Sequence, residues 1–283
     1  MAVKNEKWGK ANLQRENLGC SPTRSISVPS HKPIICAHRG LAEQAPENTL
    51  AAFRRALRRG MAIEVDLRST ADDQLVIMHD ETLDRTTDGS GPVQNFTLDE
   101  IKSLDAGAWF SPYYEGERVP TLEETLDLVK ELASTDISLL VEVKSLEPDI
   151  VRMLIDQLSD AALFSSTLGI GLVEQSVDVR RRFNGVSPDF QCSVRCNTAA
   201  QIPAAVADPT ANWVYGRWVP ESAEVKHIHK AGCRLIGSGL DVIEKLDCAA
   251  TAMESGADVV ITSHPLELES LEFLIRDKHT NRP

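Results

Sequence analysis

The sequence predicts an α/β fold, a (β/α)8 TIM barrel with a small inserted subdomain after the second strand. From residue 34 onward, short apolar runs alternate with helical stretches, and eight such pairs can be counted. Eight β/α units over about 250 residues match this barrel in size and order. A doubly wound open sheet is the alternative, and the count of eight favours the barrel. More than fifty residues separate the second apolar run from the next helix, which predicts the insertion.

The predicted strands are apolar runs bounded by turn-forming residues. They lie at 34–38, 61–67, 138–144, 167–173, 190–195, 212–217, 233–237 and 257–262, with an additional short strand at 74–78. The predicted helices lie at 49–59, 121–133, 147–159, 174–183, 198–207, 220–231, 243–255 and 265–276.

The first unit has the clearest boundaries. The apolar run 34–37 ends in His38 and Arg39, and a glycine then indicates a turn. Thr49 is placed to cap the N-terminus of the following helix, and Gly60 to end it. Chemistry in parallel α/β folds takes place at the carboxyl ends of the strands, so His38 and Arg39 are candidate site residues.

A turn-rich segment at about 80–120 forms the predicted insertion. Thr97 with Glu100, and Thr121 with Glu124, have the spacing of capping boxes and predict two helix starts. A long insertion at the catalytic end of a barrel usually forms a lid or a wall of the substrate site.

Two regions are predicted along the chain. Residues 1–33 are polar and aperiodic, and form an N-terminal extension, whereas 34–283 form the barrel domain. The net charge is -12, although the extension alone holds six Lys/Arg against two Asp/Glu. The acidic balance argues against a nucleic acid or an anionic membrane as partner. The partner expected is a small-molecule substrate, and homo-oligomerisation is left open.

The six cysteines form no CxxC pair, and several sit in apolar runs. Buried free thiols in a reducing compartment explain them better than disulfides or zinc ligands. No apolar run approaches the roughly 18 residues that span a membrane, and no signal-peptide core follows the start. We therefore expect a cytoplasmic protein without an integral membrane segment.

Acidic side chains alternate with apolar ones on two predicted strands. Glu64 and Asp66 are two residues apart, so both face the barrel axis, and Glu142 and Lys144 repeat the pattern on the next barrel strand. Three inward carboxylates make an all-oxygen site, which suits Ca²⁺ or Mg²⁺ better than zinc. A metal-free cluster, in which Arg39 and Lys144 neutralise the acids, stays open as the alternative.

Two histidines end strand-like runs, and both could reach one barrel mouth. His38 follows the first strand, and His79 follows the additional short strand. Imidazoles titrate near neutral pH, so one can take up a proton while the other releases one. With a divalent cation, and with Arg39 to hold an anion, this set of residues suits phosphoryl transfer.

Several motifs in one order resemble the signature of the glycerophosphodiester phosphodiesterase family. They are His38-Arg39-Gly40, Pro46-Glu47-Asn48-Thr49, Glu64-Val65-Asp66, His79-Asp80 and Glu142-Val143-Lys144. The resemblance implies a lipid-metabolism hydrolase with a (β/α)8 barrel. It assigns Glu64, Asp66 and Glu142 to a divalent metal, His38 and His79 to acid–base catalysis, and Arg39 and Lys144 to phosphate binding. It also implies that a neighbouring substrate hydroxyl can attack first, giving a cyclic phosphate that water then opens.

The second half of the chain departs from the family pattern. The departures are at 173–176, 234–239 and 262–265, and the second of these has glycine, Gly237, where relatives often have tryptophan. We expect this exchange to admit a larger alcohol group, such as the sugar of an agrocinopine-like phosphodiester. Trp213, Tyr215 and Trp218 could supply aromatic surface for it, or could simply pack the barrel.

The leading hypothesis is a metal-dependent phosphodiesterase that releases a phosphomonoester and an alcohol. A synthase or cyclising lyase on the same scaffold is an alternative within enzymes. A non-catalytic barrel that binds phosphate esters is an alternative from another class, and the intact histidine pair argues against it.

Overall fold

The computed structural model describes residues 32–144, 148–171, 176–186 and 190–280, with the side chains of Pro148 and of 274–280 left aside. Nearly all of the predicted extension 1–33 lies outside the described residues. So do Cys20, the end of the strand predicted at 167–173, the start of the helix predicted at 174–183, and most of the departure at 173–176.

Eight parallel strands of the described chain close into a barrel. The closure is made by the first strand, which pairs with both the second and the last. A short ninth strand, β3, runs antiparallel on β2 outside the ring. The strands are β1 (Ile34–Ala37), β2 (Ala62–Ser69), β3 (Leu75–Ile77), β4 (Leu139–Val143), β5 (Thr167–Gly171), β6 (Gln191–Cys196), β7 (Trp213–Gly216), β8 (Arg234–Gly237) and β9 (Val259–Thr262). The predicted (β/α)8 barrel is confirmed.

Helices surround this barrel, except for α2, which lies in the insertion. In the described chain they are α1 (Leu50–Leu57), α2 (Leu98–Ser103), α3 (Leu122–Leu132), α4 (Pro148–Ala161), α5 (Val177–Val186), α6 (Ile202–Val206), α7 (Ser222–Lys230), α8 (Leu240–Glu244), α9 (Leu246–Glu254) and α10 (Pro265–Thr280). Among the described residues, no helix combines the length and the hydropathy needed to cross a lipid bilayer.

Helix α1 shows how local sequence sets these boundaries. The Thr49 hydroxyl accepts a hydrogen bond from the backbone N–H of Ala52, as an N-cap does. Phe53 and Leu57 are buried against the barrel. Gly60 follows the helix with a φ of 73°, a left-handed conformation that glycine adopts without steric cost.

The segment between β3 and α3 carries α2 and a small apolar core of its own. Its buried side chains are Val76, Met78, Leu83, Val93, Ile101, Ala106 and Val119. Both capping boxes are formed, at Thr97 with Glu100 and at Thr121 with Glu124.

One helix predicted as continuous, at 243–255, is split into α8 and α9. Lys245 between them is extended, with φ of -124° and ψ of 117°. The Ile243 carbonyl accepts the backbone N–H of Ser263, and the Glu244 carbonyl accepts from His264 Nε2. These carbonyls are satisfied from the segment after β9, so the α-helix does not need to continue through Lys245.

The barrel interior is packed with side chains from alternate strand positions. Trp213 is 1% exposed there, and its indole N–H donates to Gln191 Oε1. The guanidinium of Arg234 stacks 4.2 Å from the Trp213 ring. Trp213 therefore packs the barrel, and Trp218 donates to Glu224 Oε2 beside α7.

The five described cysteines are unpaired, and four of them are buried. Burial raises the pKa of Cys192 to about 12 and that of Cys196 to about 11, so these thiols stay protonated at neutral pH. The prediction of free thiols is confirmed for these five.

Candidate active site

Three carboxylates meet at the carboxyl ends of β2 and β4. Glu64 and Asp66 share the inner face of β2, and both are 1% exposed. Parallel pairing sets Glu142 of β4 opposite Asp66. One oxygen from each of the three carboxylates lies within 4.8 Å of the others.

Neighbouring donors hold these carboxylates in place. Lys144 Nζ lies 2.7 Å from Asp66 Oδ1 and 3.0 Å from Glu142 Oε1. Asn48 Nδ2 donates to Asp66 Oδ2 at 2.8 Å, and the backbone N–H of Arg39 donates to Glu64 Oε2 at 3.0 Å.

The pKa values of the two carboxyl groups on β2 shift in opposite directions. Burial, together with Asp66 and Glu142, raises the pKa of Glu64 well above its usual value. Burial alone would also raise the pKa of Asp66, but Lys144 and Asn48 hold it below its ordinary value. Glu64 is thus the carboxylate that most needs a further cation.

The donor set fits a hard divalent ion. Its three acids are all oxygen ligands, and among the described residues Glu64 Oε1 and Asn48 Oδ1 are buried without a hydrogen-bond partner. Both salt bridges of the metal-free alternative are also present, since Arg39 Nε lies 3.5 Å from Asp66 Oδ2. They leave Glu64 without a salt-bridge partner among the described side chains.

His38 stands directly after β1, where the barrel closes. Its backbone N–H donates to the Thr262 carbonyl at 3.1 Å, and its Nδ1 lies 3.1 Å from Ser263 Oγ. Burial and the adjacent Arg39 lower the pKa of His38 to about 4. The ring is therefore neutral at physiological pH and can accept a proton.

We expect this imidazole to make the metal-free protein less stable in acid. The unfolded chain protonates His38 near pH 6.5 and the folded chain only near pH 4, so the unfolded state binds more protons between these values. The stabilisation is complete above pH 6.5 and is lost as the pH falls towards 4. Denaturant unfolding in EDTA measures the free energy of unfolding at pH 7 and at pH 4.5. Between these two pH values, His38→Gln should lose on the order of 1–3 kcal/mol less of this free energy than the wild type does. Equal losses in both proteins, with exposed His227→Gln as control, would contradict the assignment.

His79 is fixed by a chain of ion pairs. Its Nδ1 lies 2.7 Å from Asp80 Oδ1, and Arg68 donates to its carbonyl. Arg85 pairs with Asp80 at 2.6 Å and with Glu47 at 2.8 Å, and Glu47 also accepts from Arg39 Nη1 at 2.9 Å. This network links the loop that carries His38 to the strand end that carries His79.

His38 and His79 line one cavity of about 230 Å³. Arg39, Glu64 and Glu142 also line this cavity. Its other lining residues come from the second half of the chain: Ile170, Tyr215, Arg217, Leu240, Ile243, Glu244 and Ile261.

All seven residues predicted for the site therefore lie at one mouth of the barrel. Five of them line the cavity, Asp66 belongs to the carboxylate cluster, and Lys144 contacts Asp66 and Glu142. Sequence reasoning gave no role to the supporting groups Glu47, Asn48, Asp80, Arg85, Ser263 and Glu244. Asp80 could have been found from its position next to His79, whereas the others depend on contacts across the fold.

Gly237 does not face the cavity, and the expectation that it enlarges the mouth was wrong. A Cβ placed on it would lie 3.3 Å from Ala252 Cβ and 3.8 Å from Val242 Cγ1, in the layer between strands and helices. Its neighbour Ile236 is the one that packs inside the barrel.

Comparison with known proteins identifies this architecture. The family model of the glycerophosphoryl diester phosphodiesterase family matches residues 38–262. The glycerophosphodiester phosphodiesterase of Caldanaerobacter subterraneus is 46% identical over 133 residues, which are 46% of this chain and 54% of that protein. The Bacillus subtilis protein YhdW is 34% identical over 263 residues, covering 87% of this chain and 99% of its own length.

A solved structure has the same fold. The crystal structure of a glycerophosphodiester phosphodiesterase from Agrobacterium tumefaciens superimposes with a TM-score of 0.69 at 27% identity, over 84% of this chain and 99% of that one. The fold and these matches thus place the chain in the class of phosphoric diester hydrolases. Within that class, the chain belongs to the glycerophosphoryl diester phosphodiesterase family.

Gly171, at the end of β5, is required for the position of Glu142. Its φ is 79°, and an added Cβ would overlap Glu142 Cγ. We expect Gly171→Ala to cost about 1–3 kcal/mol of unfolding free energy and to weaken divalent-ion binding roughly 10-fold. Denaturant unfolding and calorimetric titration measure the two effects. Gly185→Ala is the matched control, because nothing lies within 4 Å of its added Cβ, and unchanged ion affinity in Gly171→Ala would refute the expected displacement of Glu142.

Proposed function

We propose that the protein is a divalent-metal-dependent hydrolase that cleaves a glycerophosphodiester to a phosphomonoester and an alcohol. The observation that carries this proposal is the single cavity lined by two imidazoles and backed by three carboxylates. Family membership supports the same reaction class.

Glu64, Asp66 and Glu142 would hold the metal, taken to be Ca²⁺ or Mg²⁺ because every ligand is an oxygen. The bound ion would supply Lewis-acid stabilisation of charge on the phosphoryl oxygens. Arg39 and Lys144 would bind the phosphate as cations at the edge of the carboxylate cluster.

The two histidines would divide the proton transfers. One imidazole takes the proton of the attacking substrate hydroxyl as that oxygen bonds to phosphorus, and the other protonates the alcohol as the alcohol's bond to phosphorus breaks. Water then opens the resulting cyclic phosphate to the phosphomonoester, with the two proton transfers reversed. Both rings are oriented by groups behind them, His38 by Ser263 and His79 by Asp80.

The alcohol part of the substrate would lie against Tyr215, Arg217 and Leu240. Arg217 Nη1 lies 3.5 Å from the Tyr215 hydroxyl, so this wall offers hydrogen-bonding groups beside an exposed leucine. Such a wall supports either glycerol with its head alcohol or a sugar phosphodiester as the bound group. The five cysteines of the described chain are unpaired, which supports a reducing compartment, and we propose the cytoplasm.

A turnover screen tests this function. Purified protein, freed of metal with EDTA and then given Ca²⁺ or Mg²⁺, is offered glycerol, inositol, lysophospholipid and sugar phosphodiesters, and products are followed by phosphorus NMR. We expect release of a phosphomonoester from at least one class, with activity lost in EDTA and restored by metal. A cyclic phosphate as final product would indicate the lyase alternative, and binding without turnover would indicate the non-catalytic one.

A further inference from the structure

A short chain of polar side chains begins at His38 Nδ1. Three groups follow one another there: His38 Nδ1 lies 3.1 Å from Ser263 Oγ, and Ser263 Oγ lies 3.4 Å from Glu244 Oε1. Ser263 comes directly after β9, and Glu244 is the last residue of α8. They come together only because β9 pairs with β1 and closes the barrel.

Main-chain hydrogen bonds hold this chain of groups in place. The Ser263 N–H donates to the Ile243 carbonyl at 2.8 Å, and His264 Nε2 donates to the Glu244 carbonyl at 3.1 Å. The end of α8 is therefore fixed to the segment after β9 on both sides of the serine. The position of the Ser263 hydroxyl oxygen is therefore set, and only the direction of its proton remains variable.

The donors and acceptors admit one arrangement in which both contacts are hydrogen bonds. A carboxylate oxygen accepts hydrogen bonds, and a hydroxyl has a single proton to donate. If Ser263 donates to Glu244, its oxygen must accept from His38, so Nδ1 carries the ring proton. His38 Nε2 is then left unprotonated, and His38 lines the cavity.

We propose that Ser263 and Glu244 are positioning residues that select the Nδ1–H tautomer of His38 and so make it the base of the reaction. This inference rests on the proposed function and assigns the two imidazoles distinct roles. His38 Nε2 takes the proton from the attacking hydroxyl while the new O–P bond forms. The Glu244 carboxylate, acting through the Ser263 hydroxyl, stabilises the imidazolium that results. His79, in its protonated form with Nδ1 donating to Asp80, then gives the proton on Nε2 to the leaving alcohol as the old O–P bond breaks.

The direct test is nitrogen-15 NMR of imidazole-labelled protein, because Nδ1–H and Nε2–H tautomers give different shifts. His38, one of seven histidines, is identified by the signal that His38→Gln removes. In metal-free wild-type protein at pH 7.5, we expect a protonated Nδ1 and an unprotonated Nε2. Ser263→Ala and Glu244→Leu should shift the ring towards the Nε2–H form, and Ser263→Thr, which keeps the hydroxyl, should not.

Kinetics provide the second readout. Ser263→Ala and Glu244→Leu should lower kcat roughly 10- to 100-fold, with KM changed less than about threefold. The matched control is Asp241→Leu, which removes a carboxylate from the same helix. The Asp241 carboxylate pairs with Lys245 and does not contact Ser263.

The NMR result tests the hydrogen-bond relay independently of the proposed hydrolase activity. A wild-type protein that hydrolyses a diester while its His38 carries the proton on Nε2 would overturn the relay and leave the function standing. A wild-type His38 protonated on Nδ1, in a protein that hydrolyses no diester, would support the relay and remove the proposed function.

Discussion

Glu142→Gln is expected to lower kcat/KM for the diester roughly 100- to 1,000-fold, since the proposed divalent ion would supply several kcal/mol of charge stabilisation. Glutamine keeps the size of the side chain but removes one of three negative charges from the cluster. Among the described side chains, it also leaves Lys144 with Asp66 as its one remaining ion-pair partner. Steady-state rates over a range of Ca²⁺ or Mg²⁺ concentrations measure the loss, and excess metal should restore part of it.

The control for this variant is Glu131→Gln, an exposed carboxylate of α3 that pairs with Arg54. It changes the net charge by the same amount and should leave both activity and metal dependence at the wild-type level. Full activity in Glu142→Gln, or activity equally independent of metal in both proteins, would contradict the role given to the three carboxylates.

His79→Gln should abolish most activity on natural diesters and much less on activated ones. In the proposed role of proton donor, His79 would contribute about 10²- to 10⁴-fold when the leaving alcohol is a poor leaving group. A nitrophenyl ester leaves without needing a proton, so we expect its hydrolysis to fall only about 10-fold or less in the same variant. Parallel kinetics with a glycerol and a nitrophenyl diester measure the difference.

His38→Gln is the matched comparison, because a missing base impairs attack whatever group leaves. It should lose activity on both esters to a similar degree. If the nitrophenyl ester instead rescued His38→Gln and failed to rescue His79→Gln, the roles of the two imidazoles would be reversed.

Local periodicity was enough to predict the carboxylate cluster. Glu64 and Asp66 lie two residues apart on a strand, so one face holds both whatever the neighbouring strands do. Their burial and the parallel register then bring Glu142 opposite Asp66. The same reasoning placed His38 and His79 at strand ends, and both line the cavity.

The alternation of side chains along a strand did not predict the inward face of β8, because both of its faces are apolar. Leu235 packs in the outer layer and Ile236 inside the barrel, so hydrophobicity does not tell the faces apart. Gly237 was consequently placed at the mouth, although its Cβ position faces Ala252.

Contacts made by closing the barrel were also beyond local sequence reasoning. His38 and Ser263 are 225 residues apart in the chain, and only the pairing of β1 with β9 brings them together. The break between α8 and α9 depends on the same segment, through hydrogen bonds from Ser263 and His264.

The most direct test of a metal-assisted phosphodiesterase site is a crystal structure with Mn²⁺, whose anomalous scattering locates the ion, and glycerol 3-phosphate as a product. We expect an anomalous peak coordinated by Glu64, Asp66 and Glu142, with the phosphate bound between His38 and His79. A peak elsewhere, or no peak and a Lys144 still bridging Asp66 and Glu142 beside the bound phosphate, would contradict it.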